Sequence, residues 1–471
     1  MQAIRDYFDL KTPSYWQSLA LLGLFAILAV LVPYVGKDQF LVVLGVAFVV
    51  IFWMLAWSNP KLILLLIFAS APFQNDLGDP GANANDAAPA GQGGGTHYSF
   101  TEVAFALAAP MFVARQLVRK RTFILGPVAI TAIFYLGVSL FSQIMNWNEF
   151  YDHNKDGITA IAQMILYTQV AVCMFCCYPD QPSDAFPALY ALVVVGVFLS
   201  IAGFATGSNY FLGLHKNGVG SSMAACAVVA VELWFAARDP RRKMWMGIAS
   251  FVIFAGLIST LSRGAWIATF VGVMIILGMR GEMKLLGKIA LMVVPLFIAT
   301  YFSLSQENRD YIFGFDASRT NIKDRLTTID TSKMLFERQP IYGVGVQLRK
   351  EYDATDIFWV TLAETGVLGL VSFVAIYFAV GWMTVQTCRR LSRDDPLFTF
   401  CVLGAALSYG RVMHGMVDHY WSRGAITTAW GAVGLATAVY YIARDRAYLA
   451  NGSDWQGGLP LNVQQLQADT E

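Results

Sequence analysis

The stretch at 257–279 reads LISTLSRGAWIATFVGVMIILGM, in which Ser262, Arg263 and Gly264 interrupt two apolar runs. Apolar runs of about 17 to 25 residues can cross a lipid bilayer as helices, and such runs recur along the whole chain. The 471 residues are 56% hydrophobic and 14% charged, whereas soluble domains carry about 25% charged residues. The pattern therefore predicts an all-α, polytopic membrane protein.

The apolar runs predict about 12 to 14 transmembrane helices. They form a single integral membrane domain at 1–450, and a polar cytoplasmic tail follows at 451–471. The run at 61–73 is short and could be re-entrant. The predicted spans lie near 16–35, 39–57, 61–73, 100–115, 123–143, 156–177, 185–204, 217–237, 243–260, 264–279, 285–304, 356–385, 396–412 and 424–443.

Positive charge in the loops predicts the orientation, because cytoplasmic loops carry an excess of Lys and Arg. An even number of predicted spans separates each basic cluster from the next, at 115–121, 238–243, 389–393 and 444–446. We therefore expect these clusters and both termini to be cytoplasmic. The opposite, external face then receives the segments 73–99, 144–155, 205–216, 305–355 and 413–423.

The external face is predicted to carry function as well as loops. All five histidines fall there, at His97, His153, His215, His414 and His419. The long loop 305–355 contains TNIKDRLTTIDTSKMLFERQP (320–340). Apolar residues recur there at roughly helical spacing, at Ile322, Leu326, Ile329, Met334 and Leu335. This pattern predicts an amphipathic helix on the membrane surface or over a cavity; a solvated helix of mixed charge is the alternative.

Arg263 lies in a tight turn on the same face. A charged side chain inside the hydrocarbon costs roughly 2.5 to 3.5 kcal/mol on insertion scales. Arg263 is therefore expected to face an aqueous cavity or, alternatively, to extend to the interface. The planar guanidinium can bind two phosphate oxygens at once, which favours a phosphate partner.

A second polar stretch, RVMHGMVDHYWSRG (411–424), lies between two apolar runs. Its spacings of three and four put Arg411, His414 and Asp418 on one side of a helix, with His419 elsewhere. These groups either cap and join two spans or supply ionisable groups to a substrate cavity. The spacing argues against a two-histidine metal site. The six cysteines are interpreted as small core residues, and no metal or other cofactor is expected.

Three motifs resemble one family when they are taken together and in order. They are STLSRGAWIATFVGV (259–273), DRLTTIDTSKMLFERQPIYGVG (324–345) and TDIFWVTLAETGVLGLVSF (355–373). Their order, spacing and topology over about 205–375 resemble the bacterial O-antigen ligase and O-antigen polymerase superfamily.

The resemblance implies a multi-helix glycosyltransferase of the bacterial inner membrane. Such enzymes transfer a glycan from a polyprenyl-diphosphate donor on the external, periplasmic face. Ligases pass it to a lipid core sugar and polymerases to another glycan, and neither is thought to need a metal. By position, Arg263 and Arg325 resemble the arginines that bind the donor diphosphate. The expected partners are this donor, a glycan or lipid-linked acceptor and membrane lipids. A net charge of +1 gives no sign of nucleic-acid binding.

One departure from the family concerns the acceptor base. This chain has Thr355 and Asp356 where the family commonly has His-Asn. Asp353, Asp356, Asp418 or a histidine of the 411–424 stretch could supply the base, and the missing histidine favours a polymerase over a ligase. The predicted catalytic residues are Arg263, Arg325, Asp356 and His414. The predicted substrate-binding residues are His215, Lys216, Arg319, Arg411, Asp418, His419 and Arg423.

Other interpretations remain open from the sequence. A flippase for lipid-linked glycans would need charged residues deep in the spans and on both sides of a central cavity. Most ionisable groups of this chain fall on one face instead, and the exceptions are Glu102, Glu232 and Glu364. A glycosyltransferase like the peptidoglycan polymerases is the third candidate. At His215 and Lys216, a helix cap by Asn217 competes with substrate binding.

Overall fold

The computed structural model describes most of the membrane-spanning chain. The described residues are 49–73, 100–119, 123–148, 154–179, 181–206, 210–211, 214–303, 306, 309, 320–346, 356–418, 420–421 and 423–450. The predicted span 16–35, the loop 73–99 beyond residue 73, and the tail 451–471 lie outside them.

The described residues form helices almost throughout. In chain order these are α1 (Val49–Ser58), α2 (Pro60–Ser70), α3 (Phe100–Val118), α4 (Pro127–Met145), α5 (Asn154–Ile165), α6 (Ala171–Cys177), α7 (Phe186–Thr206), α8 (Lys216–Ala236), α9 (Pro240–Ser259), α10 (Arg263–Arg280), α11 (Leu285–Ser303), α12 (Thr320–Arg338), α13 (Ile357–Cys388), α14 (Phe398–Gly415) and α15 (Arg423–Ala450). A π-helical turn at Leu166–Val170 joins α5 to α6, and a 3-10 turn at Pro182–Ala185 precedes α7. Two short strands, β1 (Tyr210–Phe211) and β2 (Leu214–His215), pair antiparallel.

The helices confirm the predicted all-α, polytopic membrane architecture. Within the described part of the chain, nine helices are long and apolar enough to cross a membrane, or ten if one bent pair is counted as a span. That pair is α1 and α2, which meet at an angle of 119°. Asn59 caps α2 by accepting a hydrogen bond from Leu62 N at 3.3 Å, and Pro60 follows at the first helical position. The predicted short run at 61–73 is thus the second limb of a bent pair.

The centre of the bundle is formed by α8, α14 and α15. In α15 all but one of the residues at 426–443 are buried. Small residues let these helices approach closely, as is usual for helix packing in membranes. A Cβ added at Gly404 of α14 would lie 2.5 Å from Ala436 Cβ of α15. One added at Gly410 would lie 2.9 Å from the Ala268 carbonyl oxygen of α10.

Three of the four basic clusters meet at one end of this bundle. Arg238 donates to the Asp394 carbonyl at 2.7 Å, and Arg446 pairs with Asp395 at 2.9 Å. Beside them, Arg280 donates to buried Glu232 and, at 2.6 Å, to the Arg393 carbonyl. We call this end of the bundle the basic end. Its assignment to the cytoplasm stays a prediction.

The amphipathic helix predicted at 320–340 is present as α12. It packs on the start of α13, where Leu335 joins Val344 and Ala363 in a small apolar cluster. However, Leu326 and Met334, both counted in the predicted apolar face, are 49% and 51% exposed. The helix rests on a narrower stripe than the sequence pattern suggests, because its buried contacts run through Ser332 and Leu335.

The six cysteines are free thiols, as predicted. Cys176, Cys177, Cys226 and Cys401 are buried, and Cys173 and Cys388 are partly buried. They behave as small core residues.

Candidate active site

The N-terminus of α10 packs directly against the turn that ends α14. Ser262 is the buried N-cap of α10, and half-buried Arg263 is its first residue. A Cβ added at Gly264 would lie 2.8 Å from Val417 Cγ2 and 3.2 Å from His414 Cδ2. Only glycine allows this approach without displacement, so the Ser-Arg-Gly motif brings Arg263 beside residues 414–418. We call these residues the 414–418 turn.

Arg325 reaches the same turn from α12. Its Nη1 donates a hydrogen bond to the Val417 carbonyl at 2.7 Å, and the side chain is half-buried. The two arginines predicted to bind diphosphate come from segments 62 positions apart in the sequence. They border one turn at the end of the bundle opposite the basic end.

Arg411, His414 and Asp418 lie together, as their spacing predicts. Arg411 donates through Nε to the Tyr420 carbonyl at 2.8 Å and through Nη1 to His414 Nδ1 at 3.0 Å. His414 Nε2 lies 3.8 Å from Asp418 Oδ2. All three side chains are buried, with Arg411 only 5% exposed. The guanidinium thus ties the end of α14 to the start of the next segment.

Tyr420 anchors this cluster in an aromatic core. Its hydroxyl hydrogen-bonds the Tyr377 hydroxyl, and its ring packs edge-on against Phe373 and Trp421. Burial raises the pKa of Tyr420 to about 12, although the hydrogen bond with Tyr377 and the Arg411 cation act in the opposite direction. The phenol is therefore neutral near pH 7, so it acts as a hydrogen-bonding group and not as a phenolate.

The PIYGVG motif forms a turn that docks into a break in α13. We call residues 340–346 the glycine turn. Gly366 has φ +67° and interrupts the α13 hydrogen-bond ladder. Val344 N and Gly345 N donate instead to the Ala363 and Glu364 carbonyls, at 2.9 and 3.0 Å. This exchange of backbone hydrogen bonds fixes the end of α12 relative to α13. It therefore fixes the position of the helix that carries Arg325.

Two buried polar residues of α4 and its C-cap, Asn146, hold the glycine turn from the other side. Gly345 N donates to Ser142 Oγ at 3.1 Å, and Val346 N donates to Gln143 Oε1 at 3.1 Å. Asn146 Nδ2 donates to the Gly343 carbonyl at 2.9 Å. Sequence reasoning missed Ser142, Gln143 and Asn146. The available signal is the cluster SQIMN at the end of an otherwise apolar span.

Asp356 is the N-cap of α13. Its Oδ1 accepts hydrogen bonds from Phe358 N at 2.9 Å and Trp359 N at 3.2 Å. Burial raises the pKa of Asp356, and the two backbone hydrogen bonds partly oppose that shift. The residue has a clear local role in starting the helix, whatever else it does. The N-cap was foreseeable, because Asp followed by an apolar run is a common helix start.

A small cavity adjoins the buried cluster. It measures about 30 Å³ and lies between α8, α10, α14 and α15. Its walls include Arg411 and His414, and small residues such as Ser221, Ala268 and Gly410 supply much of the rest. That volume is about the size of two water molecules, and Arg411 and His414 form part of its wall.

For three predicted site residues the structure describes the backbone position alone. The backbone puts His215 in β2, Lys216 at the start of α8 and Arg423 at the start of α15. Arg319, His419, Asp353 and Thr355 lie outside the described residues. Among the residues that are described, no three His, Cys, Asp or Glu side chains group as metal ligands.

Comparison with known proteins bears on the central part of this site. A search of curated proteins gives no significant match. The family model described as O-antigen ligase matches residues 248–374. The matched region contains Arg263, Arg325, Asp356 and the glycine turn, whereas α4 and the 414–418 turn lie outside it. The match supports a membrane glycosyltransferase-like enzyme. Over this region the predicted resemblance to the O-antigen ligase and O-antigen polymerase superfamily is confirmed.

Proposed function

We propose that this protein transfers a glycan from a polyprenyl-diphosphate donor to an acceptor sugar hydroxyl. The observation that carries the proposal is the meeting of Arg263 and Arg325 at the 414–418 turn. Two cations from separate elements border one turn that also holds a buried carboxylate and a buried imidazole. This arrangement suits a reaction in which negative charge develops on a leaving group.

The chemistry explains why two arginines are useful. The diphosphate gains negative charge as the glycosidic bond breaks, and pre-positioned cations stabilise that charge most strongly in a site that excludes water. Arg325 uses one N–H on the Val417 carbonyl. A guanidinium has five N–H donors, so capacity remains for phosphate oxygens. Arginines can perform this task without a metal ion, and we propose a metal-independent reaction.

The setting of the reaction follows from topology. The proposed site lies at the end of the bundle opposite the basic end, where the charge rule predicts the periplasmic face of a bacterial inner membrane. Both termini are then cytoplasmic. The acceptor is a second glycan in a polymerase and a lipid-linked core sugar in a ligase. We favour the polymerase because Thr355 stands where the family commonly has its histidine.

A flippase is the competing function, and its case rests on buried carboxylates within the spans. Glu232 is engaged at the basic end by Arg280. Glu102 accepts hydrogen bonds from Tyr167 and, at 3.1 Å, from Gln163. Each of these two carboxylates has a local partner that accounts for its burial. The transferase therefore explains more of the charged residues than transport does.

One experiment separates these functions. Purified protein is incubated with a lipid-diphosphate oligosaccharide in EDTA, and the products are resolved by size. Chain growth without an added acceptor is the result expected of a metal-independent polymerase. Transfer only to an added lipid acceptor would identify a ligase. The absence of any sugar product with either acceptor would contradict the transferase proposal and favour transport.

A further inference from the structure

We propose that Asp418 is the proton acceptor of the transfer reaction, with Arg411 and His414 as the residues that position it. This inference rests on the proposed function and chooses among the candidate bases that the sequence leaves open.

The hydrogen bond from Arg411 determines which nitrogen of His414 carries the proton. A guanidinium can only donate, so His414 Nδ1 must accept the 3.0 Å bond from Arg411 Nη1. A proton on Nδ1 would face the guanidinium N–H, and the neutral ring therefore carries its hydrogen on Nε2. In this tautomer neither nitrogen can take a proton from a substrate. His414 is a hydrogen-bond donor in the resting enzyme and not a base.

The nitrogen that carries the proton lies close to the Asp418 carboxylate. The distance from His414 Nε2 to Asp418 Oδ2 is 3.8 Å, too long for a direct hydrogen bond but short enough for the N–H dipole to attract the carboxylate. The Arg411 cation interacts electrostatically with the same group. Arg411 and His414 thus form a directed chain that ends on Asp418.

Asp418 is also well placed with respect to the two arginines that border the 414–418 turn. It directly follows Val417, whose carbonyl binds Arg325 and whose side chain faces Gly264 next to Arg263. Met416, at the start of the same turn, is 38% exposed. The carboxylate therefore sits beside the proposed diphosphate clamp in a turn that reaches the surface of the bundle. A base must lie within reach of the acceptor hydroxyl while the clamp holds the donor.

Asp356 and Tyr420 each have a local structural role. Asp356 Oδ1 caps α13 through two backbone hydrogen bonds. Tyr420 is a neutral phenol that is hydrogen-bonded to Tyr377. Asp418 is the carboxylate of the turn that both arginines border.

The acceptor hydroxyl oxygen attacks the anomeric carbon of the donor glycan. The bond from that carbon to the diphosphate oxygen breaks, and its electron pair leaves with the diphosphate, whose added charge the arginines meet. The hydroxyl proton moves to a carboxylate oxygen of Asp418 and later passes to solvent, which restores the carboxylate.

The first test compares Asp418→Asn with Asp418→Glu in the EDTA transfer assay with the full-length protein. A positioned general base contributes typically 10²- to 10⁴-fold, so we expect kcat of Asp418→Asn to fall by about that factor. KM for the lipid donor should change little, and Asp418→Glu should recover part of the rate. Asp395→Asn at the basic end is the matched control and should retain activity. Size-exclusion profiles establish that each variant is folded.

The second test reads the His414 tautomer directly. Nitrogen-15 NMR of histidine-labelled protein, assigned by comparison with His414→Gln, should give Nδ1 as the unprotonated nitrogen near pH 7. In the activity assay His414→Gln, which keeps an N–H near the ε position, should retain more activity than His414→Ala. Equal and complete loss in both variants, or a proton on Nδ1, would overturn the positioning role.

The outcomes separate this inference from the function on which it rests. If the wild type transfers glycan and folded Asp418→Asn does so at the same rate, the assignment of the proton acceptor is wrong and the transferase stands. If the wild type forms no product with any lipid-diphosphate donor, the proposed function fails and the role of Asp418 fails with it. The tautomer of His414 is then still measured by NMR.

Discussion

At the residue scale, the arginines of the site are of two kinds. Arg411 is buried and spends its donors on the Tyr420 carbonyl and on His414. Arg263 and Arg325 are half-buried, and each borders the 414–418 turn from a different element. The first kind holds the chain together, and the second kind has side chains in a position to meet a ligand. The sequence suggests a substrate role for all three, because it cannot distinguish a buried guanidinium from a half-buried one.

The two half-buried arginines should be individually essential. We expect Arg263→Ala and Arg325→Ala to reduce transfer by about 10²- to 10³-fold, the usual effect of removing one group that stabilises developing charge, with normal insertion into the membrane. Arg→Lys variants should recover activity only in part, because lysine lacks the planar fork that binds two phosphate oxygens. The transfer rate is measured per amount of purified protein, and the amount of each variant in the membrane is measured before purification.

Arg446→Ala is the matched control for this pair. It removes an exposed arginine at the basic end whose partner is Asp395, so transfer should continue at the wild-type rate. Full activity in both Arg263→Ala and Arg325→Ala would refute the diphosphate-clamp assignment.

At the scale of elements, long apolar runs predict most of the helices within a few residues. The run at 243–260 corresponds to α9, where Asp239 caps the helix and Pro240 follows. These signals are local, because the thickness of the bilayer sets the length of a helix and the capping residues set where it begins and ends. The amphipathic helix α12 is likewise visible in its spacing, although the spacing overstates its buried face.

The contacts that orient α12 are not visible in the sequence. The glycine turn is held by the α13 backbone and by Ser142 and Gln143 of α4, about 200 positions earlier in the chain. Such pairings depend on which helices become neighbours, and one sequence gives no direct information on that. For the same reason the sequence identifies Arg325 as a candidate but does not identify its bond to Val417.

Gly343→Ala should disable this connection. Gly343 has φ +73°, a left-handed conformation that costs other residues about 1 to 2 kcal/mol, and an added Cβ would lie 2.3 Å from the Glu364 carbonyl carbon. We expect the glycine turn to leave the break in α13 and the thermal stability to fall. The transfer rate of the folded protein should fall as well, because α12 no longer holds Arg325 in position. Thermal unfolding and transfer rates are measured on the same preparation.

Gly137→Ala is the control for this substitution, since nothing lies within 4 Å of a Cβ added there. In that α4 position alanine should be neutral or stabilising by about 0.5 to 1 kcal/mol. If Gly343→Ala behaved like Gly137→Ala, the glycine turn would not be the device that positions α12.

At the scale of the whole molecule, the two ends of the bundle have different tasks. One end presents Arg263, Arg325 and the 414–418 turn. The other end joins α8, α10 and the loop before α14 through Arg280, which donates to Glu232, to Thr399 Oγ1 at 3.1 Å and to the Arg393 carbonyl at 2.6 Å. The same helix, α10, carries Arg263 at its first residue and Arg280 at its last. Arg280 therefore holds the last turn of α10 against α8 and against the chain before and at the start of α14.

The basic end should set stability without taking part in the chemistry. Glu232 is fully buried, so Arg280→Ala leaves a charge without its partner, a loss that typically costs about 3 to 5 kcal/mol. We expect thermal unfolding of Arg280→Ala at markedly lower temperature, with Arg280→Met combined with Glu232→Met recovering most of the loss because no charge is then left buried. Breaking the more exposed pair with Arg446→Ala should cost less than about 1 kcal/mol. A normal unfolding temperature in Arg280→Ala would contradict the anchoring role.

The folded Arg280→Met and Glu232→Met double variant should transfer glycan with the wild-type kcat, because α10 still packs against α8 and α14. A greatly reduced kcat in this folded variant would mean that the two ends of the bundle are coupled through α10.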